Sequence, residues 1–134
     1  ARKIIKAGGR PVLYMTPAYA GYHRRYSDSM TAETASLYIE TGNDIGALVI
    51  PVGLAFEEAK RRRPDLVLHK PFDGSHPELI GTYLAAATVM ASLYGTSPVG
   101  NEYDYFGKIS KDEALFAQQV AHDTVTQFFG RELK

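Results

Sequence analysis

The densest chemistry in this 134-residue sequence is a carboxylate placed three residues ahead of an imidazole, at Asp73-Gly-Ser-His76-Pro77. On a tight turn through Gly74, Asp73 can accept from the Nδ1–H of His76. That fixes the tautomer and leaves Nε2 free to act as general base toward a serine hydroxyl. Pro77 suits the first position of a helix, where its missing N–H costs nothing. The same residues admit a plainer role, with Asp73 or Ser75 capping a helix and His76 an exposed polar residue. Asp-x-x-His is short and common by chance, so its surroundings must decide.

Other chemistries have less to stand on. With no cysteine, disulfides, thiolate nucleophiles and Cys-based zinc sites are excluded. His69, Asp73 and His76 could supply imidazoles and a carboxylate to a metal, but no further ligand is suggestively spaced, and no metal or other cofactor is expected. Fifteen basic residues balance fifteen acidic ones, so no global field attracts nucleic acid or an anionic membrane. The run Arg61-Arg62-Arg63 falls where a helix should end, and a solvated helix end explains it. The longest apolar stretch, Tyr83 to Tyr94, is too short and too rich in Ala and Thr to span a bilayer. His122 reads as a surface or helix-packing residue. Tyr19, Tyr22 and His23 lie in a loop where they could line the mouth of a site, and Tyr103 and Tyr105 form a second aromatic group.

The elements that must position these residues alternate. Ala1 to Ala7 reads as the last turns of a helix closed by Gly8-Gly9, the beginning expected of a fragment, a processed product or an excised domain. Pro11 to Ala18 reads as a buried strand, and Ala18 to Asp28 as a loop over its end. A helix follows from Met30 to Thr41, closed by Gly42-Asn43. Ala47 to Val52 is a second buried strand, Leu54 to Arg63 a helix stopped by Pro64, and Leu66 to His69 a third short strand. The helix from Pro77 to Tyr94 is apolar on nearly every face, as a helix buried on several sides must be. Ser110-Lys-Asp-Glu113 is a capping box for a last helix reaching Phe129. Strands alternating with helices predict an α/β domain with a parallel sheet, here about three strands and four to five helices.

The stretch Asp73-Gly-Ser-His-Pro-Glu-Leu-Ile-Gly-Thr-Tyr-Leu-Ala-Ala, running on to Leu93-Tyr-Gly-Thr-Ser-Pro-Val-Gly100, resembles the C-terminal block of the SGNH (GDSL-type) hydrolase superfamily. It is most similar to a bacterial branch in which a D-G-x-H-P turn leads into G-x-Y-L-A-A and a G-x-S-P-V-G loop. Ala47-Leu-Val-Ile-Pro-Val-Gly-Leu-Ala-Phe56 and Pro11-Val-Leu-Tyr-Met-Thr-Pro17 resemble two core strands of that branch. The likeness spans roughly Arg10 to Phe129.

The resemblance implies a partial flavodoxin-like three-layer α/β/α domain over residues 1–134, with His76 as general base and Asp73 its orienting carboxylate. The family's nucleophilic serine and its oxyanion-hole glycine and asparagine would lie upstream. Gly42-Asn43-Asp44 has the letters of the family's G-x-N-D block but ends a helix before the penultimate strand, in the wrong place. Ser75 cannot easily reach Nε2 while Asp73 holds Nδ1, and Ser27 and Ser29 more simply cap the next helix. The expected function is therefore the Asp–His part of an ester hydrolase acting on a small-molecule or carbohydrate ester, nearly inert alone. The other class of function is a non-catalytic binding or assembly module on the same scaffold. Expected partners are the missing N-terminal half or another copy of the chain, with neither nucleic acid nor membrane. The compartment is left open.

Overall fold

The computed structural model describes all 134 residues. In chain order the elements are α1 (Arg2–Lys6), β1 (Val12–Tyr14), α2 (Met30–Ile45), β2 (Leu48–Ile50), α3 (Val52–Arg62), α4 (Leu79–Tyr94) and α5 (Lys111–Phe129). The chain is an α/β protein whose β1 and β2 pair in parallel, Leu13 opposite Val49 and Tyr14 opposite Ile50. None of its helices is long and apolar enough to cross a membrane.

Neighbouring strand residues point to opposite faces, and β2 uses both. Val49 packs with Met15 and Ala35, joined by Leu13, Tyr38, Leu54 and Phe128. Ile50 enters the larger core, built with Val52 and Phe56 of α3, Leu84 of α4, and Ala117 and Val120 of α5. Helices therefore cover β2 on both sides. The arginine run does more than end α3 in solvent. Arg62 reaches Asp123 and Arg63 reaches Asp112, both at 2.8 Å, and so tie α3 to α5. Arg61 and Arg62 also share Glu58, and the Arg61 hydrogen bond is first among the causes that lower its pKa to about 2.

Both strands are shorter than the sequence suggests, and α3 begins at Val52 instead of Leu54. Three further boundaries differ, each for a tertiary reason. α2 does not stop at Gly42-Asn43. It continues to Ile45, and Gly46 takes the left-handed cap at φ 64°. Gly42 is instead a buried interior position, where a Cβ would collide with the Val49 side chain. Glycine here lets the helix approach β2.

The third strand does not join the sheet. Leu66 and Leu68 still face the core, but the backbone of this segment is spent elsewhere. Glu78 N–H donates to Leu68 O at 2.9 Å and Lys70 N–H to His76 O at 2.8 Å. The result is a single antiparallel bridge, His69 to Pro77. Pro77 is therefore not the first residue of α4, which begins two residues later. The last helix keeps its expected start: Ser110 and Glu113 form the reciprocal box, and Gly130 closes the far end at φ 61°.

Candidate functional site

The antiparallel clasp between residues 68–70 and 76–78 closes a loop, and that loop holds Asp73 and His76. Gly74 N–H donates to Lys70 O at 2.9 Å, which sets the turn, and Gly74 passes through it at φ 64°. One carboxylate oxygen of Asp73, Oδ1, accepts from the backbone N–H of Ser75 at 2.8 Å and of His76 at 3.0 Å. The other, Oδ2, lies 2.6 Å from His76 Nδ1. Both oxygens are committed, so the carboxylate cannot rotate away from the ring.

The His76 and Ser75 backbone N–H groups, in that order, hold the Asp73 carboxyl well below the usual carboxylate range, and the His76 ring adds to the effect. An ionised Asp73 accepts from Nδ1–H, so the unprotonated nitrogen is Nε2. It sits on a side chain 74% exposed and makes no hydrogen bond within the chain.

Serine placement is equally definite. Ser75 Oγ lies 3.3 Å from Nδ1, on the nitrogen already engaged by Asp73. Ser27 and Ser29 face each other at 3.3 Å. Gly42, Asn43 and Asp44 lie inside α2 and build no oxyanion hole. A Ser–His pair does occur elsewhere, Ser97 Oγ to His122 Nδ1 at 2.9 Å. Ser97 Oγ also accepts from Val99 N–H at 3.2 Å, so the pair fastens the loop after α4 to α5.

The loop after β1 closes over the turn. Tyr22 donates its hydroxyl to Lys70 O at 3.0 Å. A Cβ on Gly74 would lie 2.9 Å from the Tyr22 ring and 3.1 Å from His23 Cβ. His23 stacks on Tyr19 with centroids 4.0 Å apart, and its Nδ1 accepts from Arg25 N–H at 3.1 Å. Tyr22 and His23 thus touch the turn directly, and Tyr19 does so through His23.

Beneath this loop lies a cavity of about 230 Å³ reaching Tyr26, Lys60 and His69. His69 packs edge-on against Phe56 with its Nε2 buried and unpartnered, and burial pushes its pKa down. His69, Asp73 and His76 do not gather into a three-ligand metal set. Sequence reasoning missed a larger groove of about 690 Å³, lined by Lys70, Pro77, α4 and the loop carrying Tyr103 and Tyr105.

No family model matches this chain, and no curated protein matches it either. Among solved structures, a DUF4886 family protein from Bacteroides uniformis is similar at a TM-score of 0.79 and 21% identity, over 94% of this chain. The likeness establishes the fold. The chain spans 51% of the length of that protein.

Proposed function

We propose that this chain carries the base-bearing part of an SGNH-type serine ester hydrolase, with His76 as general base and Asp73 as the carboxylate that orients it. One observation carries the reading. Asp73 is pinned by two backbone N–H groups while its other oxygen meets Nδ1 at 2.6 Å, which directs Nε2 outward. A surface Asp–His pair serving only as a turn cap needs the backbone bonds but not the fixed ring.

In the reaction, Nε2 takes the proton of a serine hydroxyl as its oxygen attacks the ester carbonyl, and then returns it to the leaving alcohol. A water deprotonated by the same nitrogen releases the acid from the acyl-serine. The resemblance favours a carboxylic ester, such as an acetylated carbohydrate. The nucleophile and the oxyanion donors would come from outside these 134 residues, so turnover by this chain alone stays near background.

A binding or assembly module on the same scaffold is the second reading. One observation favours it: the serine beside the ring, Ser75, stands at Nδ1 and not at Nε2. A fluorophosphonate probe on the protein translated from the whole surrounding reading frame separates the two. Hydrolase function predicts labelling that His76→Ala slows by about a thousandfold or more. Labelling unchanged by that substitution removes the role given to His76, and no labelling at all leaves the binding module.

A further inference from the structure

The turn that carries Asp73 and His76 has little of its own to hold it. Pro71, Phe72, His76 and Pro77 are exposed, Phe72 by 81%, so apolar burial contributes little to its shape. Gly74 is the one buried residue from Pro71 to Pro77. What buries it is the loop after β1. Ala20 N–H donates to Gly74 O at 2.8 Å, and the Tyr22 ring and His23 Cβ stand against the place where a Gly74 side chain would begin. Residues 20–23 thus form a strap across the turn.

The strap converges on one residue. Lys70 O accepts from Gly74 N–H at 2.9 Å, the bond that closes the turn, and from the Tyr22 hydroxyl at 3.0 Å. Asp73 N–H is more distant from the same oxygen, at 3.3 Å. Lys70 N–H donates in turn to His76 O at 2.8 Å, so Lys70 anchors both ends of the segment that bears the pair. A tyrosine hydroxyl has a single proton, and Tyr22 gives it to a backbone carbonyl, leaving none to donate to a substrate. Tyr22 therefore acts on the turn.

The turn needs that restraint because His76 has two candidate partners at one nitrogen. Asp73 Oδ2 stands 2.6 Å from Nδ1, and Ser75 Oγ stands 3.3 Å from it. An ionised carboxylate only accepts, which puts the ring proton on Nδ1 and leaves Nε2 bare. A serine hydroxyl also donates. If Ser75 gives its proton to Nδ1, the ring proton sits on Nε2 and that nitrogen can no longer take one. A neutral imidazole carries one ring proton, so the choice of partner is the choice of tautomer. Which partner wins depends on how firmly the backbone holds Asp73 against the ring.

We propose that Tyr22 is a positioning residue: through its hydrogen bond to Lys70 O it holds the Asp73–His76 turn in the form that keeps Nε2 unprotonated. That this nitrogen then serves as a base rests on the hydrolase reading, while the tautomer itself does not. The test uses the 134-residue chain with ¹⁵N-labelled histidine. Long-range ¹H–¹⁵N spectra at about pH 8, where imidazole is neutral, show which ring nitrogen of His76 carries the proton. The His76 signals are assigned by their loss in His76→Gln. Wild type should favour Nδ1–H, the form that free histidine disfavours. Tyr22→Phe keeps the ring over Gly74 and loses only the hydroxyl. It should move the tautomer ratio toward Nε2–H by about two- to tenfold, the worth of one hydrogen bond, with circular dichroism unchanged. Tyr26→Phe removes a hydroxyl farther along the same loop, 3.4 Å from Lys60 Nζ, and should leave the ratio as in wild type. A wild type already in the Nε2–H form, a ratio unmoved by Tyr22→Phe, or an equal move in Tyr26→Phe overturns the role. Because the tautomer is read without hydrolysis, the two readings fail separately. Fluorophosphonate labelling that depends on His76, with a tautomer indifferent to Tyr22, removes only the positioning role. A tautomer that follows Tyr22, with no labelling, removes only the ester chemistry.

Discussion

At Asp73 two kinds of hydrogen bond converge on one carboxylate, and they leave different marks. The backbone N–H groups of His76 and Ser75 are always donors, whereas the His76 ring donates through Nδ1 to the second oxygen. Together they lower the carboxyl pKa in the folded state. A depressed folded value means stabilisation that is fully present above the unfolded carboxylate pKa, about 3.9, and lost as pH falls through the folded value. Unfolding free energies of wild type and Asp73→Asn, measured in urea across pH, should therefore differ by a constant amount above about pH 5 and converge in stronger acid. A gap that persists unchanged to the lowest accessible pH would show that the ionised carboxylate is not what the turn depends on. The pairing itself was legible in the sequence because its partners lie within four residues. The walls around it were not, since Tyr22 meets Lys70 from forty-eight residues away, and no local pattern announces such a contact.

Among the elements, the ends set by local chemistry were readable and those set by neighbours were not. The capping box at Ser110 and the glycines after α4 and α5 act within their own turns, and each stands where its signal lies. Gly42 carries the same signal and means something else, because the residue that demands it, Val49, belongs to β2. Leu66 to His69 kept its apolar residues in the core but lost its place in the sheet, since the segment after the turn took its backbone partners. Gly81 follows the same logic: a Cβ there would strike Leu68 O, so its absence lets α4 close onto the clasp. Gly42→Ala sets two principles against each other. Helix propensity alone favours the alanine by about 1 kcal/mol. The collision with Val49 should reverse the sign and leave a net loss of about 1–3 kcal/mol, the range for overpacked sites. Adding Val49→Ala should then cost less in the Gly42→Ala background than in wild type. Urea unfolding of the four proteins measures both, and stabilisation by Gly42→Ala would mean that α2 and β2 are not in close contact.

For the whole molecule, the telling asymmetry is between the two strands. Tyr14 and Ile50 are register partners and so share a face. Ile50 is buried by the layer of α3, α4 and α5, while Tyr14 and Val12 remain 43% exposed. The helical layer covers β2 and leaves β1 bare, and β1 pairs with β2 alone, so its other edge is open as well. Two strands are a marginal sheet, and an open edge beside apolar side chains is a template for further pairing. The 134-residue chain on its own should therefore associate through β1, giving species heavier than one chain in sedimentation velocity at concentrations on the order of tens of micromolar. Val12→Lys combined with Tyr14→Lys places charge on that face and should return the chain to a monomer. Neither residue is fully buried, so the double variant should lose no more than about 1 kcal/mol in urea unfolding. A wild-type chain that stays monomeric over that range, or association that survives both lysines, would move the sticky surface away from β1. The exposed aromatic turn at Tyr103–Phe106 would then be the next face to test, because its three rings touch one another and are left in water.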